Sequence, residues 1–189
     1  MPFIPETPLL TDRLLLRTFE EGDLAALVEI ESRPEVARFL YWEPRTTEQV
    51  RESLARKMTG HTLNAAGDTL TFAVVVRESG ELVGSVNLTW TSELDCQGEI
   101  GYMLNPRHEG HGYATESARR LLGLGFDELR LHRIIGRMEA RNSGSARVLE
   151  RLGMRREAEL VENEWVKGEW QSELVYAMLD REWASLGGA

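Results

Sequence analysis

Residues 107–126 read RHEGHGYATESARRLLGLGF. Gly110, Gly112 and Ala114 stand where a helix begins, and Ala118, Leu121, Leu122 and Gly125 share one helical face suited to packing on a sheet. Upstream, Gly98–Leu104 reads as a strand that Asn105-Pro106 stops. A strand, a glycine turn and a helix make an anion site by ordinary physics. First-turn N–H groups lack partners, the helix dipole adds positive charge, and residues without a Cβ let a phosphate come close. The dinucleotide fingerprint fails at its third glycine, and no Gly-Lys-Ser/Thr follows as in a P-loop. By itself the stretch favours an ordinary tight turn.

Outward from it, strand and helix signals alternate. Arg13–Phe19 is a short apolar strand, Asp23 caps a helix over Leu24–Glu31, and Pro34 opens a short helix carrying Val36, Phe39 and Leu40. Thr46 or Thr47 caps another helix through Thr59, with Val50, Leu54 and Met58 as its stripe. Thr69–Arg77 and Leu82–Trp90 form a hairpin that turns at Gly80. Arg133–Ala140 is a strand, and Ser143 begins a helix that Gly153 ends. Glu159–Val166 and Glu169–Leu179 form a last hairpin at Lys167-Gly168, before a terminal helix over Asp180–Leu186. Hairpins together with crossover helices predict an α/β (mixed α+β) fold, a mixed sheet with helices on both faces.

The chain has 189 residues, 42% apolar and 28% charged, which fits one large soluble domain. Its formal net charge of -9 argues against nucleic acid as the main partner, since phosphate backbones need a basic face. The lone cysteine, Cys96, forms no internal disulfide, which fits a reducing, cytoplasmic location. The sequence shows no signal-peptide pattern and no apolar run long enough to span a bilayer, so no membrane partner is expected. No His, Cys and carboxylate cluster has metal-ligand spacing, so no metal is expected.

Arg107-His-Glu-Gly110-His-Gly112-Tyr-Ala114 resembles the Arg/Gln-x-x-Gly-x-Gly/Ala pyrophosphate loop of the GNAT acetyltransferases. Thr11-Asp-Arg-Leu-Leu-Leu-Arg17 is similar to the opening strand of the branch that includes the ribosomal-protein N-terminal alanine acetyltransferases. Glu99–Pro106 resembles the family's fourth strand, and Asn142–Ser145 with Leu149–Met154 its next binding element. The resemblance implies one domain over residues 1–189, with a central, mostly antiparallel sheet of six to seven strands flanked by helices. That sheet would be splayed between strands four and five, here Gly98–Leu104 and Arg133–Ala140. It implies acetyl-CoA as co-substrate and direct attack by a primary amine, either a protein N-terminus or a small molecule. Two other readings stand beside it: another acyl donor such as succinyl-CoA, or a CoA-binding module without catalysis. A homodimer is common in such families.

The same resemblance places the pyrophosphate on the backbone of Glu109, Gly110, His111, Gly112, Tyr113 and Ala114. Arg107 either adds charge there or is a solvated surface arginine. An unpaired N–H at Met103 or Leu104 would bond the thioester carbonyl. Asn142 would bond the pantetheine arm or cap the following helix, and Ser145 would protonate the leaving thiolate or bond only locally. Many relatives use a tyrosine four residues further on, where this chain has Leu149. For a base to deprotonate the amine, Glu99 comes first, on the cleft strand and on one face with Gly101 and Met103; Glu157 and Glu159 are its rivals. Tyr41, Trp42 and Trp165 either contact the acceptor or pack at a sheet edge or dimer interface.

Overall fold

Eight strands form one sheet in the computed structural model, which describes residues 2–187. They are β1 (Leu9–Leu10), β2 (Leu14–Arg17), β3 (Thr69–Val76), β4 (Leu82–Ser92), β5 (Gln97–Leu104), β6 (Arg133–Glu139), β7 (Arg155–Val166) and β8 (Glu169–Leu179). Their spatial order is β1-β2-β3-β4-β5-β6-β8-β7. Every neighbouring pair is antiparallel except β5 and β6. The sequence pointed to six or seven strands. The additional one is β1, whose Leu9 and Leu10 pair with Leu16 and Leu15 along an edge too short for any alternation to show.

Hairpin turns follow the chemistry of their residues. Gly80 takes φ +72 between β3 and β4, and Lys167 and Gly168 take φ 52 and 83 between β7 and β8. Two successive left-handed residues suit the twist of a two-residue hairpin loop. Strand β7 begins at Arg155, four residues before the expected start. It is an exposed edge whose side chains are almost all solvated, and its first residues, Arg155, Arg156 and Glu157, carry no period-two signal.

The helices are α1 (Leu24–Glu31), α2 (Pro34–Ala37), α3 (Thr47–Thr59), α4 (Tyr113–Gly123), α5 (Ser143–Leu152) and α6 (Asp180–Ser185). Thr46 caps α3 in a capping box: its hydroxyl accepts from Gln49 N, and Gln49 Oε1 accepts from Thr46 N at 2.9 Å. Asp23 caps nothing at α1. Its carboxylate takes a two-pronged bond from Arg17 at 2.8 and 2.7 Å and another from Glu20 N, and this fixes a short 3-10 turn ahead of the helix.

Side-chain alternation splits the core between the two faces of the sheet. Leu70, Phe72, Val86, Leu88 and Ile100 bury against Leu121, Leu122, Leu149 and Leu152 of α4 and α5. Ala73 and Val75 bury against Leu27, Ile30, Val50 and Leu54 of α1 and α3. Each large side chain so buried contributes about 1.5–3 kcal/mol. Helix α4 runs on through one π turn at Leu124–Glu128. There a Cβ on Gly125 would come within 2.5 Å of Ile134 Cδ1, so a larger residue would have to displace that side chain for the turn to sit this close to β6. Trp183 of α6 closes that end, stacked on Phe126, with its indole N–H donating to Asp127 at 3.1 Å. None of the described helices is long and apolar enough to cross a membrane.

Candidate active site

Asn105 ends β5 and starts the glycine turn. Its N–H donates to Val83 O at 2.8 Å, and its Oδ1 accepts from Arg107 N. Gly110 and Gly112 both take φ +79, a region that side chains other than glycine enter only with strain. A Cβ on Gly110 would meet nothing, so the turn is open there. No side chain caps α4, so its first-turn amides and positive dipole end are left for another partner.

Arg13 braces the turn from behind. Its guanidinium donates to His111 O at 2.9 Å and to Glu116 at 2.7 and 2.6 Å, and it lies over the Tyr113 ring at 5.1 Å. Glu116, a carboxylate in the first turn of α4, would oppose an anion there if left bare. Thr11 Oγ1 at 2.6 Å, Arg13 N at 2.9 Å and the Arg13 guanidinium surround it. Burial alone works to raise its pKa, but these donors outweigh that and hold it below the usual carboxylate value. Arg107 turns away from the loop, its Nη1 bonded to Glu29 at 2.8 Å. His108 bonds Glu81, and His111 stacks on Tyr113.

Beside the turn the sheet opens. β5 and β6 pair only over Gln97–Glu99 and Arg133–Ile135. Beyond that point β5 stays with β4 as far as Leu104, and β6 stays with β8 as far as Glu139. The Asn105–Val83 bond sets the alternation along β5. The amides of Tyr102 and Leu104 therefore point into the gap, and the amide of Met103 points into the ladder with β4. Of the two amides expected at the gap, Leu104 faces it.

A cavity of about 750 Å³ passes through this opening. On the α5 side it is lined by Tyr102, Gly136, Met138, Asn142, Ser145 and Leu149. A Cβ on Gly136 would stand 2.8 Å from Leu149 Cδ1, so glycine sets how closely α5 approaches β6. Asn142 Oδ1 accepts from Ser145 N at 3.0 Å, which makes it the cap of α5. The Tyr102 hydroxyl donates to Ser145 O at 3.0 Å and stands 2.9 Å from Ser145 Oγ. Burial pushes that phenol up to about 12.

On the other face lie several of the residues expected at the acceptor. Arg137 Nε donates to Glu99 Oε2 at 3.2 Å, and Arg137 Nη1 lies 3.7 Å from Glu173 Oε1. Glu173 is 5% exposed, and burial raises its pKa above the usual carboxylate value. The Tyr41 hydroxyl donates to Glu164 at 2.8 Å and is pushed up to about 12 by desolvation of its hydroxyl end and by Glu164, although the residue as a whole is 67% exposed. Glu99, Tyr41, Glu164 and Glu173 line a side pocket that shares Phe39, Leu40, Arg137 and Met138 with the main cavity. Trp42 lines the main cavity beneath the Arg45 guanidinium, 4.3 Å from its ring.

Some expected residues fall elsewhere. Trp165 is 61% exposed, packs edge-on against Trp170 at 5.3 Å and lines neither pocket, because it lies next to the hairpin turn. Glu157 is held by Arg133 and Arg155, and Glu159 by Arg156; neither lines either pocket. Arg13, Tyr102, Glu173 and the group around Glu31 escaped the sequence reading. For Tyr102 a signal existed, since it shares the alternation of Ile100 and Leu104. For the others the partner is far away in the chain.

The model of the acetyltransferase (GNAT) domain family matches residues 13–155. The uncharacterized N-acetyltransferase YnaD of Bacillus subtilis (strain 168) is 34% identical over 173 residues, 92% of this chain and 97% of the relative. The spermidine N(1)-acetyltransferase of Vibrio cholerae is 26% identical over 162 residues, 86% of this chain and 90% of the relative. The crystal structure of an acetyltransferase (GNAT family) from Bacillus anthracis superposes with a TM-score of 0.82 at 33% identity, covering 92% of this chain and 98% of that one.

Proposed function

The chain belongs to the GNAT family of acetyltransferases, and on that premise we propose that it moves an acetyl group from acetyl-CoA to a primary amine by direct attack, as a single catalytic domain. The observation that carries this reading is the opening of the sheet beside an uncapped, glycine-lined helix start. The backbone from Glu109 to Ala114 takes the pyrophosphate, with Gly110 and Gly112 giving it access to the amides. The pantetheine arm lies in the gap along β5 and α5. There the Leu104 amide polarises the thioester carbonyl, a kind of contact whose removal costs about 10²–10³ in rate. The amine nitrogen attacks that carbon, the C–S bond breaks, and CoA leaves as thiol.

Glu99 takes the proton from the amine, and Glu173, across Arg137, is its nearest rival. The Ser145 hydroxyl, held against Tyr102, supplies the proton to the thiolate. The spermidine N(1)-acetyltransferase among the relatives supports a small amine as acceptor. The test is release of free thiol from acetyl-CoA against a panel of amines and short peptides. Transfer to at least one amine is expected. Tight CoA binding with no thiol release from any of them would refute the proposal.

A further inference from the structure

On the acceptor face, the cavity holds a buried ionic group that the transfer step leaves unused. Glu31 is 0% exposed and accepts from Arg45 Nη1 at 2.5 Å and from Ser53 Oγ at 3.2 Å. Lys57 Nζ lies 3.7 Å from the same carboxylate and 5.5 Å from the Phe19 ring. Two part-buried cations thus share one carboxylate, and Arg56, exposed at the rim of the same wall, adds a third positive charge. Burial lowers the Lys57 pKa, as expected for an ammonium with half a counter-ion. Asp68, the other carboxylate lining this end, is taken up by the amides of Asn64 and Ala65 in its own turn. The side pocket carries the reverse excess: Glu99 and Glu173 share Arg137, Glu164 has the Tyr41 hydroxyl, and Glu139 is held by Arg141. A chain of net charge -9 has no compositional reason to gather cations inside a cavity. Uncompensated buried charge is costly, so the cationic end calls for an anion that enters with the ligand.

We propose that the amine acceptor also carries a carboxylate, as amino acids and short peptides do, with its amino group toward Glu99 and Glu173 and its carboxylate on Lys57 and Arg45. This rests on the reading of the chain as an amine acetyltransferase. It makes the acceptor a zwitterion and sets it apart from polyamines, which bring no anion.

The test uses the full chain, acetyl-CoA and thiol release, with amino acids each set against the matching carboxamide, and with spermidine and phosphoethanolamine as further arms. The acids are expected to exceed their amides in kcat/KM by about tenfold or more, the scale of one well-formed charge contact. Lys57→Met keeps the Glu31–Arg45 pair and should bring that acid-to-amide ratio toward one through KM, and Lys57→Arg should restore it. Amides or spermidine turned over as well as the acids would overturn the proposal and leave the acetyltransferase reading intact. So would an acid-to-amide ratio unmoved by Lys57→Met, and phosphoethanolamine outrunning the acids would overturn the carboxylate. Thiol release from no amine at all would refute both readings together.

Discussion

Gly112 holds φ +79 directly before α4, and the nearest atom to a Cβ placed there is Arg13 Nη2 at 3.5 Å. The site therefore has room for a methyl group but not the backbone freedom for one. Gly112→Ala should cost about 1 kcal/mol of stability and weaken CoA binding only modestly. Gly112→Asp strains the turn further and puts a carboxylate toward Arg13 at the start of α4, where its charge opposes an incoming pyrophosphate, and should weaken CoA binding in calorimetry by about tenfold or more. An unchanged titration would displace the anion site. Ser145→Ala should lower kcat about a hundredfold or more, the range usual for a lost proton donor, and leave the KM for acetyl-CoA near its starting value. Tyr102→Phe should lower kcat in the same direction, and unchanged turnover in both variants would remove the pair from the chemistry. The glycine turn and the Asn142 helix cap were legible in local spacing, whereas Ser145 stood out only through the family resemblance. Arg13 and Lys57 were not, because what defines each of them is a partner on another element, Glu116 for the first and Glu31 for the second.

At the scale of elements, Glu116 ties the lead into β2 to the first turn of α4. Its folded pKa lies below the ordinary value, so the stability it contributes is present above that ordinary value and is lost as pH falls through the folded one. Glu116→Gln should cost about 1 kcal/mol near neutral pH, a figure reduced for the partial exposure of the pair. Urea melts across the acid range should show the wild-type advantage shrinking as pH falls. A constant difference would mean the charge is not the cause. Most elements were readable from periodicity and breakers, as with α5 between Asn142 and Gly153. Those that were misjudged lie where tertiary contacts override local signals: β1 pairs with β2 alone and buries Leu9 in the core, β7 is solvated along most of its length, and Asp23 prefers Arg17 to a helix cap.

Across the whole molecule, two groups of strands meet only at the parallel pairing of Gln97–Glu99 with Arg133–Ile135. Hydrogen exchange should report that geometry. The amides of Tyr102 and Leu104 should exchange faster than that of Met103 in the free protein, and should slow when acetyl-CoA is added. Equal protection at all three positions without ligand would mean the sheet is closed there. The opening itself could be anticipated only through family resemblance. No local pattern marks where two strands part, because the same apolar residues serve a paired strand equally well.

The two outer strands of the sheet have a consequence for the protein in concentrated solution. One outer strand, β1, is two residues long, and the other, β7, changes register twice, between Arg156 and Ala158 and between Leu160 and Glu164. Neither presents a straight row of free amides and carbonyls, so neither can template a neighbouring chain, even with Val161 and Trp170 exposed nearby. Crowding should therefore leave the protein dispersed rather than seed fibrils.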